Sequence, residues 1–449
     1  MKKYNSYKSS GEEYIGDIPE QWECTRLGMM GVFSSSGIDK KTNENEISVR
    51  MLNYTDIIQG RKYNSVQSGH KDYMIVSTPL SKLNEHKLVK GDLVLIPSSE
   101  TKDDLGYSSL IDFDENDIVY SYHILRFRTN RKIYHYFKKY FINHHSVLNQ
   151  FSRESKGTTR QIIGRNVFNN VKVVLPPLNE QEQIVNYLDD KTSIIDKLIS
   201  TKENKIKLLK EKRISIINET TSKGLDPKEK FKNTDNEWIG EIPLSWSIGK
   251  LKNYSELKIS SVDKHIYDYE RSVNVCNYTD VYYNEFITND LELRKGSCTD
   301  DEFNKFKLNK GDVIITKDSE SPKDIGVPSL VRNDFENVVC GYHLSIIKPL
   351  KNKLLGGFLF RQLQSTRIRS YYEVCSNGIT RYGLGKLSVL DTPLIIPPLQ
   401  VQEQIIEYLD KYTKEIDDLI SMEQRKIYLL KEYRQSIISE VITGKIKVV

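Results

Sequence analysis

The chain has 449 residues, 38% of them hydrophobic and 28% charged, a balance that builds buried cores and excludes a disordered chain. No apolar run approaches the roughly 18 residues that a membrane span needs, and the opening MKKYNSYKSSGEEY has no apolar signal core, so the sequence predicts a cytoplasmic protein. Its 5 cysteines include no C-x-x-C pair, which argues against a zinc site or a disulfide framework and leaves them as small buried hydrophobes, and a net charge of +5 implies little until it is mapped.

Taken in chain order, the elements come twice. YKSSGEEYIGDIPEQW (7–22) returns as FKNTDNEWIGEIPLSW (231–246), and NYTD at 53–56 returns at 277–280, both at an offset of 224. Tyr54 and Tyr278 in these NYTD segments could touch a nucleic acid, although a tyrosine beside a strand more often belongs to a core. KGDLVLIPSSE (90–100) matches KGDVIITKDSE (310–320) at 220, and each predicts a strand entered through a Gly-Asp turn. The polar loops that follow, SSETKDD (98–104) with Lys102 and KDSESPKD (317–324) with Lys317, are equivalent in place and different in sequence, as loops reading different bases would be. IVYSYHILRFR (118–128) and VVCGYHLSIIK (338–348) read as apolar strands. IYHYFKKYFINHHSVLNQF (133–151) and LLGGFLFRQLQSTRIRSYY (354–372) read as helices from their three- and four-residue apolar steps. The adjacent His144 and His145 carry no metal-ligand spacing and are expected at the surface or facing phosphate.

Charge is uneven along these elements. Residues 126–172 hold 11 Lys/Arg and one acid, Glu154, and residues 346–390 hold 8 Lys/Arg and one acid, Glu373. One such stretch would read as a solvated face; two at equivalent places point to nucleic acid. The candidate contacts there are Lys138, Arg153, Lys156 and Arg165 in the first copy and Arg367 and Arg369 in the second. Within the same stretches GTTR (157–160) recurs as GITR (378–381). Glycine permits a tight turn, Thr159 or Thr380 could cap a following helix with amides facing a phosphate, and Arg160 or Arg381 would project to grip guanine O6 and N7 or a phosphate. A turn whose arginine is merely solvated is the competing reading.

Each copy then closes with a strand, two prolines and a long helix. LPPLNEQEQIVNYLDDKT (175–192) returns as IPPLQVQEQIIEYLDKYT (396–413) at 221, and LLKEKRISIINETTSKGL (208–225) as LLKEYRQSIISEVITGKI (429–446). Helices are predicted over about 179–222 and 400–443. A 4–3 seam runs through Ile195, Ile199, Lys202, Ile206, Leu209, Arg213, Ile216 and Thr220, and its copy through Ile416, Ile420, Glu423, Ile427, Leu430, Arg434, Ile437 and Val441. Each seam calls for a partner helix, and the other seam supplies it. With a globular unit between them in the chain, an antiparallel pair about a pseudo-twofold axis is the simpler geometry. The predicted fold class is α+β, with two globular domains and an antiparallel coiled coil. The expected division is 1–178 for the first domain, 179–222 for its helix, 223–399 for a central linker and second domain, and 400–449 for the second helix and tail.

Catalytic signatures are missing. There is no G-x-x-x-x-G-K-[ST] phosphate loop, no Asn-Pro-Pro-Tyr or Asp-Pro-Pro-Tyr segment, no H-E-x-x-H and no G-x-S-x-G.

The paired opening segments, the PPL-x-x-QEQI helix starts and the LLKE-x-R-x-SII helix ends resemble the specificity subunit of type I restriction–modification systems, over most of the chain. KGLDPKEKFKNTDNEWIGEIPLSW (223–246) looks like that family's central linker; Tyr14 stands where the second copy has Trp238, two aromatics suited to one packing role. The resemblance implies two target-recognition domains, each reading half of a split double-stranded DNA target, and two spacer helices that dock methyltransferase subunits, two of them, with restriction subunits in the full complex. It implies no cofactor in this chain, since the methyl donor and ATP with magnesium would be bound by the partners. The competing classes are a self-contained methyltransferase or nuclease with a DNA-reading module, which the missing motifs oppose, and a coiled-coil scaffold or RNA-binding protein, of which the scaffold leaves two basic stretches unexplained.

Overall fold

The computed structural model describes residues 2–60 and 65–448. Two compact units make up the chain, one running up to Lys202 and resuming at Arg425, the other spanning Glu203–Gln424. Each is thus built from a globular part together with half of each long helix.

The first unit holds a five-stranded sheet in the order Gly31–Ser34, Leu125–Thr129, Leu93–Leu95, Ser108–Ile111, Val66–Gln67, antiparallel except at the last pairing. Beside it a three-stranded sheet runs Ile118–Tyr120, Ile47–Leu52, Met74–Thr78. The second unit repeats both, as Ser255–Ile259, Leu344–Pro349, Val313–Thr316, Pro328–Val331, Phe286–Ile287, and as Val338–Cys340, Arg271–Cys276, Arg294–Cys298. The strands after Gly-Asp form where expected, at Leu93–Leu95 and Val313–Thr316, and both are buried throughout because a central strand is covered on its two faces. Two other expectations need correction. The 118–128 stretch is two strands in different sheets, Ile118–Tyr120 and Leu125–Thr129, joined by a turn closed from Ile124 N–H to Ser121 O at 3.0 Å. Its copy divides likewise, with His343 at φ 69°. The single helices expected over 133–151 and 354–372 are each broken. Lys138–Phe141 and His145–Glu154 are separated at Asn143, whose amide is drawn aside to Ser108 (Oδ1 accepts from N–H at 2.8 Å). Gly356–Leu363 and Thr366–Cys375 are separated at Ser365, whose hydroxyl caps the second piece by accepting from Ile368 N–H.

The long helices are Leu178–Lys223 and Leu399–Ile442. Their repeated starts have a physical reason. Gln181 is buried; its amide donates to Pro176 O at 2.8 Å and accepts from Tyr134 N–H at 2.8 Å. Gln402 does the same with Pro397 O and Leu355 N–H, both at 2.9 Å. One glutamine therefore satisfies backbone groups of the Pro-Pro turn and of the neighbouring domain segment at once. The seam is buried at Ile195, Ile199, Ile416, Ile420 and Ile427. Within the first unit Arg434 Nε donates to Asp196 Oδ1 at 2.9 Å; within the second, Arg213 Nε donates to Asp417 Oδ1 at 2.9 Å and Lys205 Nζ to Glu423 Oε1 at 2.9 Å. As residue number rises on one helix it falls on the other, so the helices pair antiparallel. Ile437, Val441, Ile442 and Ile446 complete the first unit's core beside Trp22, and Ile217 joins the second beside Trp246. The chain's two ends meet in the first unit, where Lys2 and Lys447 form an antiparallel bridge.

No helix among the described residues is long and apolar enough to cross a membrane. Cys276, Cys298 and Cys340 are buried free thiols, and Cys24 and Cys375 are half-buried.

Candidate nucleic-acid interface

In the first unit the Pro97 crossover ends in a two-residue strand, Ser98–Ser99, that pairs with Gln161–Ile162. GTTR forms the tip leading into that second strand, and the Lys156–Ile162 bridge closes it. In the second unit Asp318–Ser319 pairs with Tyr382–Leu384, which pairs with Ser376–Gly378, so GITR is again a hairpin tip. The expected helix after Thr159 and Thr380 is corrected: a strand follows each, and the next helices are capped at Gly164 and Gly385 instead. The glycine expectation fits better. Gly157 has φ 124° and Gly378 φ 155°, and a Cβ on either would lie 2.1 and 2.0 Å from the carbonyl oxygens of Arg160 and Arg381.

Beside the first tip lies a cleft of about 360 Å³ lined by Lys40, Asn53, Tyr54, Thr55, Ser99, Glu100, Thr101, Asp104, Ser121, His123 and Arg160. Asp104 organises its floor. Its Oδ2 accepts from Tyr54 at 3.1 Å, Ser99 at 3.1 Å and Thr101 at 2.7 Å. Arg160 is exposed and donates from Nε to Ser98 Oγ at 3.3 Å. The His123 ring lies tilted against that of the exposed Tyr122 with centroids 3.8 Å apart, and burial, then the charges of Arg160 and Lys40, push its pKa down. The second unit also has an aspartate-bound tyrosine, but it is Tyr282 and not Tyr278, the counterpart of Tyr54. Tyr278 stacks on Tyr282 at 5.6 Å, and Tyr282 donates to Asp324, which raises the Tyr282 pKa to about 12. Tyr342 and His343 have ring centroids 3.9 Å apart, and Lys317 Nζ lies 5.7 Å over the Tyr342 ring. Arg381 Nη2 is 3.4 Å from His343 Nδ1 and 3.8 Å from Asp318 Oδ2, and Asp318 also takes His343 Nδ1 within hydrogen-bond distance.

The structure thus brings Tyr54 and Arg160 together, and in the second unit Lys317, Tyr342, His343 and Arg381. Thr159, Lys156, Thr380 and Lys102 are exposed on the tips and adjoining loop. Arg153 is exposed in a separate hollow beside Tyr14 and Glu154, and Arg369 is exposed with Nη2 3.4 Å from Lys323 O. Arg165 is exposed and donates to Phe33 O.

Several basic candidates have structural duties instead. Lys138 is half-buried and donates to Gly91 O at 2.9 Å, and burial lowers its pKa. Arg367 is half-buried with Nη2 3.4 Å from Gln362 Oε1, and burial lowers its pKa to about 10. Lys139 is buried on Asp189 at 2.7 Å and Arg361 is buried on Asp410 at 2.7 Å. Arg128 pairs with Asp92 and Arg131 with Glu23, both at 2.7 Å. The two basic stretches are therefore not uniform surface patches; much of their charge balances acids far away in sequence. His144, expected at the surface, is fully buried, and burial drives its pKa to about 3, while His145 is exposed. The residues missed were Tyr122–His123 and Tyr342–His343. Their signal was present in the YH shared by SYHIL and GYHLS. Among the described residues no cluster of His, Cys, Asp or Glu could hold a metal.

A family model, the type I restriction modification DNA specificity domain, matches residues 19–208 and 264–428. The chain belongs to that family. Its relatives include the MjaX specificity subunit of Methanocaldococcus jannaschii, assigned to a type I restriction enzyme, at 25% identity over 97% of this chain and 96% of that one. The type I restriction enzyme EcoKI specificity subunit of Escherichia coli is 20% identical over 96% of this chain and 90% of its own. Among solved structures, a chain from work on complex assembly and conformational transition of the type I R-M system superposes with TM-score 0.68 at 16% identity, covering 96% of this chain and 99% of that one. The HsdS subunit of Thermoanaerobacter tengcongensis gives TM-score 0.50 at 15% identity, over 96% and 98%. At such identities the likeness is one of fold. The family's specificity domain is matched over two stretches, and each carries one G-x-T-R hairpin tip.

Proposed function

We propose that this specificity-family chain reads a split double-stranded DNA target, one half through the hairpin tip of each unit and its surroundings, and docks two methyltransferase subunits, with restriction subunits joining in a full complex. Residues 1–178 and 223–399 carry recognition, and 179–222 and 400–449 form the docking spacers. Methylation and cleavage belong to the partners, which bind the methyl donor and ATP with magnesium, and the assembly works in the cytoplasm.

The observation that carries this reading is the duplicated hairpin tip. An arginine at a glycine-set hairpin tip and a close Tyr-His ring pair recur in both units, while the residues around them differ. An arginine fork reads guanine or a phosphate, and exposed aromatic faces and polar loop groups add shape and edge contacts. Lys40, Arg160, Arg165, Lys156 and Arg153 in the first unit, and Lys317, Arg369 and Arg381 in the second, supply phosphate affinity.

Mapping methylated bases in DNA from cells that carry this chain with its methyltransferase subunits tests the proposal. A bipartite motif is the expected result. A continuous motif, robust cleavage or methylation by the pure chain, or stronger competition by RNA than by duplex DNA would overturn it.

A further inference from the structure

The two hairpins are superposable position by position, and one exchange between them changes the state of the arginine. Ser98 pairs in register with Ile162, and Asp318 with Gly383, so residues 98 and 318 occupy the same strand position. In the first unit Arg160 is tethered through Nε alone, to the neutral Ser98 hydroxyl at 3.3 Å. Its two Nη groups have no protein partner among the described residues, so the flat donor edge of the guanidinium faces out. In the second unit an acid stands at that position. Asp318 lies 3.8 Å from Arg381 Nη2 and within hydrogen-bond distance of His343 Nδ1, so the arginine and the imidazole share one carboxylate.

From this exchange we infer, resting on the DNA-reading function above, that residue 98 and its counterpart 318 set base preference at one position of each half-site. Ser98 leaves the Arg160 fork free to take O6 and N7 of a guanine. Asp318 draws Arg381 inward and presents its remaining carboxylate oxygen to an exocyclic amino group, the N4 of cytosine or the N6 of adenine. The assignment follows from donor and acceptor chemistry: guanine shows two acceptors to the major groove, and only cytosine and adenine show an amino donor there. A guanidinium already neutralised by an acid contributes less to a base with no negative charge and less to phosphate attraction. Arg381 is 58% exposed and Asp318 only 17%, so the acid is the more covered member of the pair.

The test is a binding selection from a DNA library with both half-sites randomised, using the full chain with its methyltransferase subunits, for the unsubstituted protein and for Ser98→Asp, Asp318→Ser and Arg160→Lys. A motif from the unsubstituted protein is required by the DNA-reading function itself; a failure there is a failure of that function and not of this exchange. Given a motif, the first half-site should contain a guanine whose preference falls about 5- to 150-fold in Ser98→Asp, with every other position kept. Asp318→Ser should lose a cytosine or adenine preference at one position of the second half-site and gain guanine, and which of the two is lost identifies the amino group. Arg160→Lys keeps the charge and removes the fork, so it should lose the guanine with nearly unchanged salt dependence, which keeps the proposal open to test if Ser98→Asp folds poorly. Unchanged motifs in Ser98→Asp and Arg160→Lys would overturn it. So would an even loss of affinity over all sequences with a salt slope shallower by about one, because that is a phosphate contact.

Discussion

Arg213 and Asp417 form a two-point ion pair, Nε to Oδ1 at 2.9 Å and Nη2 to Oδ2 at 3.1 Å, and Arg434 and Asp196 repeat it at 2.9 and 3.2 Å. Each member is the repeat mate of the residue playing the same part in the other pair: 221 residues separate Asp196 from Asp417 and Arg213 from Arg434. The repeat read along the chain is therefore also a repeat in the pairing, and each pair lies inside its own compact unit. Arg213 is well covered, since it also donates to both oxygens of Glu285 at 2.7 Å, whereas Asp417 is half-exposed. Solvent at Asp417 limits the coupling to about 1 kcal/mol. A double-mutant cycle of Arg213→Ala and Asp417→Ala, followed by chemical denaturation, should give that value. Strict additivity would show that the two side chains do not hold register. Arg213→Ala alone should cost more than Asp417→Ala alone, because it also strips Glu285 of its partner.

Arg381→Ala and Arg367→Ala should part company, although both arginines lie in the same basic stretch. Arg381 is on the hairpin tip, so its loss should weaken recognition of one half-site and leave the other unchanged. Arg367 lies half-buried against Gln362 and contributes packing instead. Its substitution should leave DNA affinity, discrimination and salt slope as they were while shifting thermal stability. A half-site defect in Arg367→Ala, measured by binding to matched and mismatched duplexes, would return it to the interface.

Those two arginines also show what could be read without coordinates. Both sit in a stretch with 8 Lys/Arg and one acid, and local sequence does not separate them. What separates them is tertiary: Lys139 is neutralised by Asp189 and Arg361 by Asp410, partners about 50 positions away. The duplicated frame, the seam and the Pro-Pro starts were legible because repetition and a 4–3 period are properties of sequence alone. The helix breaks at Asn143 and Ser365 were not, because the apolar step continues through each break and the competing capping and side-chain bonds reach other segments. GTTR was legible as a turn from its glycine, but the strand that follows was not; Gln161–Ile162 is held by Ser98–Ser99 alongside it and by the bridge to Lys156. The Tyr-His pair was visible as a shared dipeptide, yet its role depends on the turn that exposes it.

Gly157→Ala should mimic the loss of Arg160 without touching that side chain. At φ 124° a Cβ would meet Arg160 O at 2.1 Å, so the tip must open. Strain of about 1–3 kcal/mol is relieved locally, because the hairpin is exposed and its two-residue pairing is weak. Global melting should change little, hydrogen exchange should rise across 156–162, and discrimination at the first half-site should fall. Normal recognition with normal exchange would mean that the tip accommodates the methyl group and that its glycine has no role in placing the arginine.

His144 should make the first unit sensitive to mild acid. Its side chain is fully buried, and burial lowers its pKa from an ordinary 6.5 to about 3. In the folded chain it stays neutral through the range in which the unfolded chain takes up a proton. Between about pH 6.5 and 3 the unfolded state therefore binds more protons, so stability rises with pH and falls on acidification. The stabilisation is intact above pH 6.5, and its loss amounts to about 1.4 kcal/mol by pH 5.5. His86, His123 and His135 are also lowered by burial, so the unsubstituted chain sums several such terms. The difference from His144→Leu isolates one of them. Leucine keeps an apolar side chain of similar reach at a position flanked in sequence by the core residues Phe141, Ile142 and Val147. Between pH 7.5 and 5.5 the variant should lose about 1.4 kcal/mol less stability than the unsubstituted chain, read from urea unfolding at each pH, whatever its absolute stability. Parallel pH profiles would mean that His144 is not held neutral in the fold, and that the acid sensitivity of this unit comes from elsewhere.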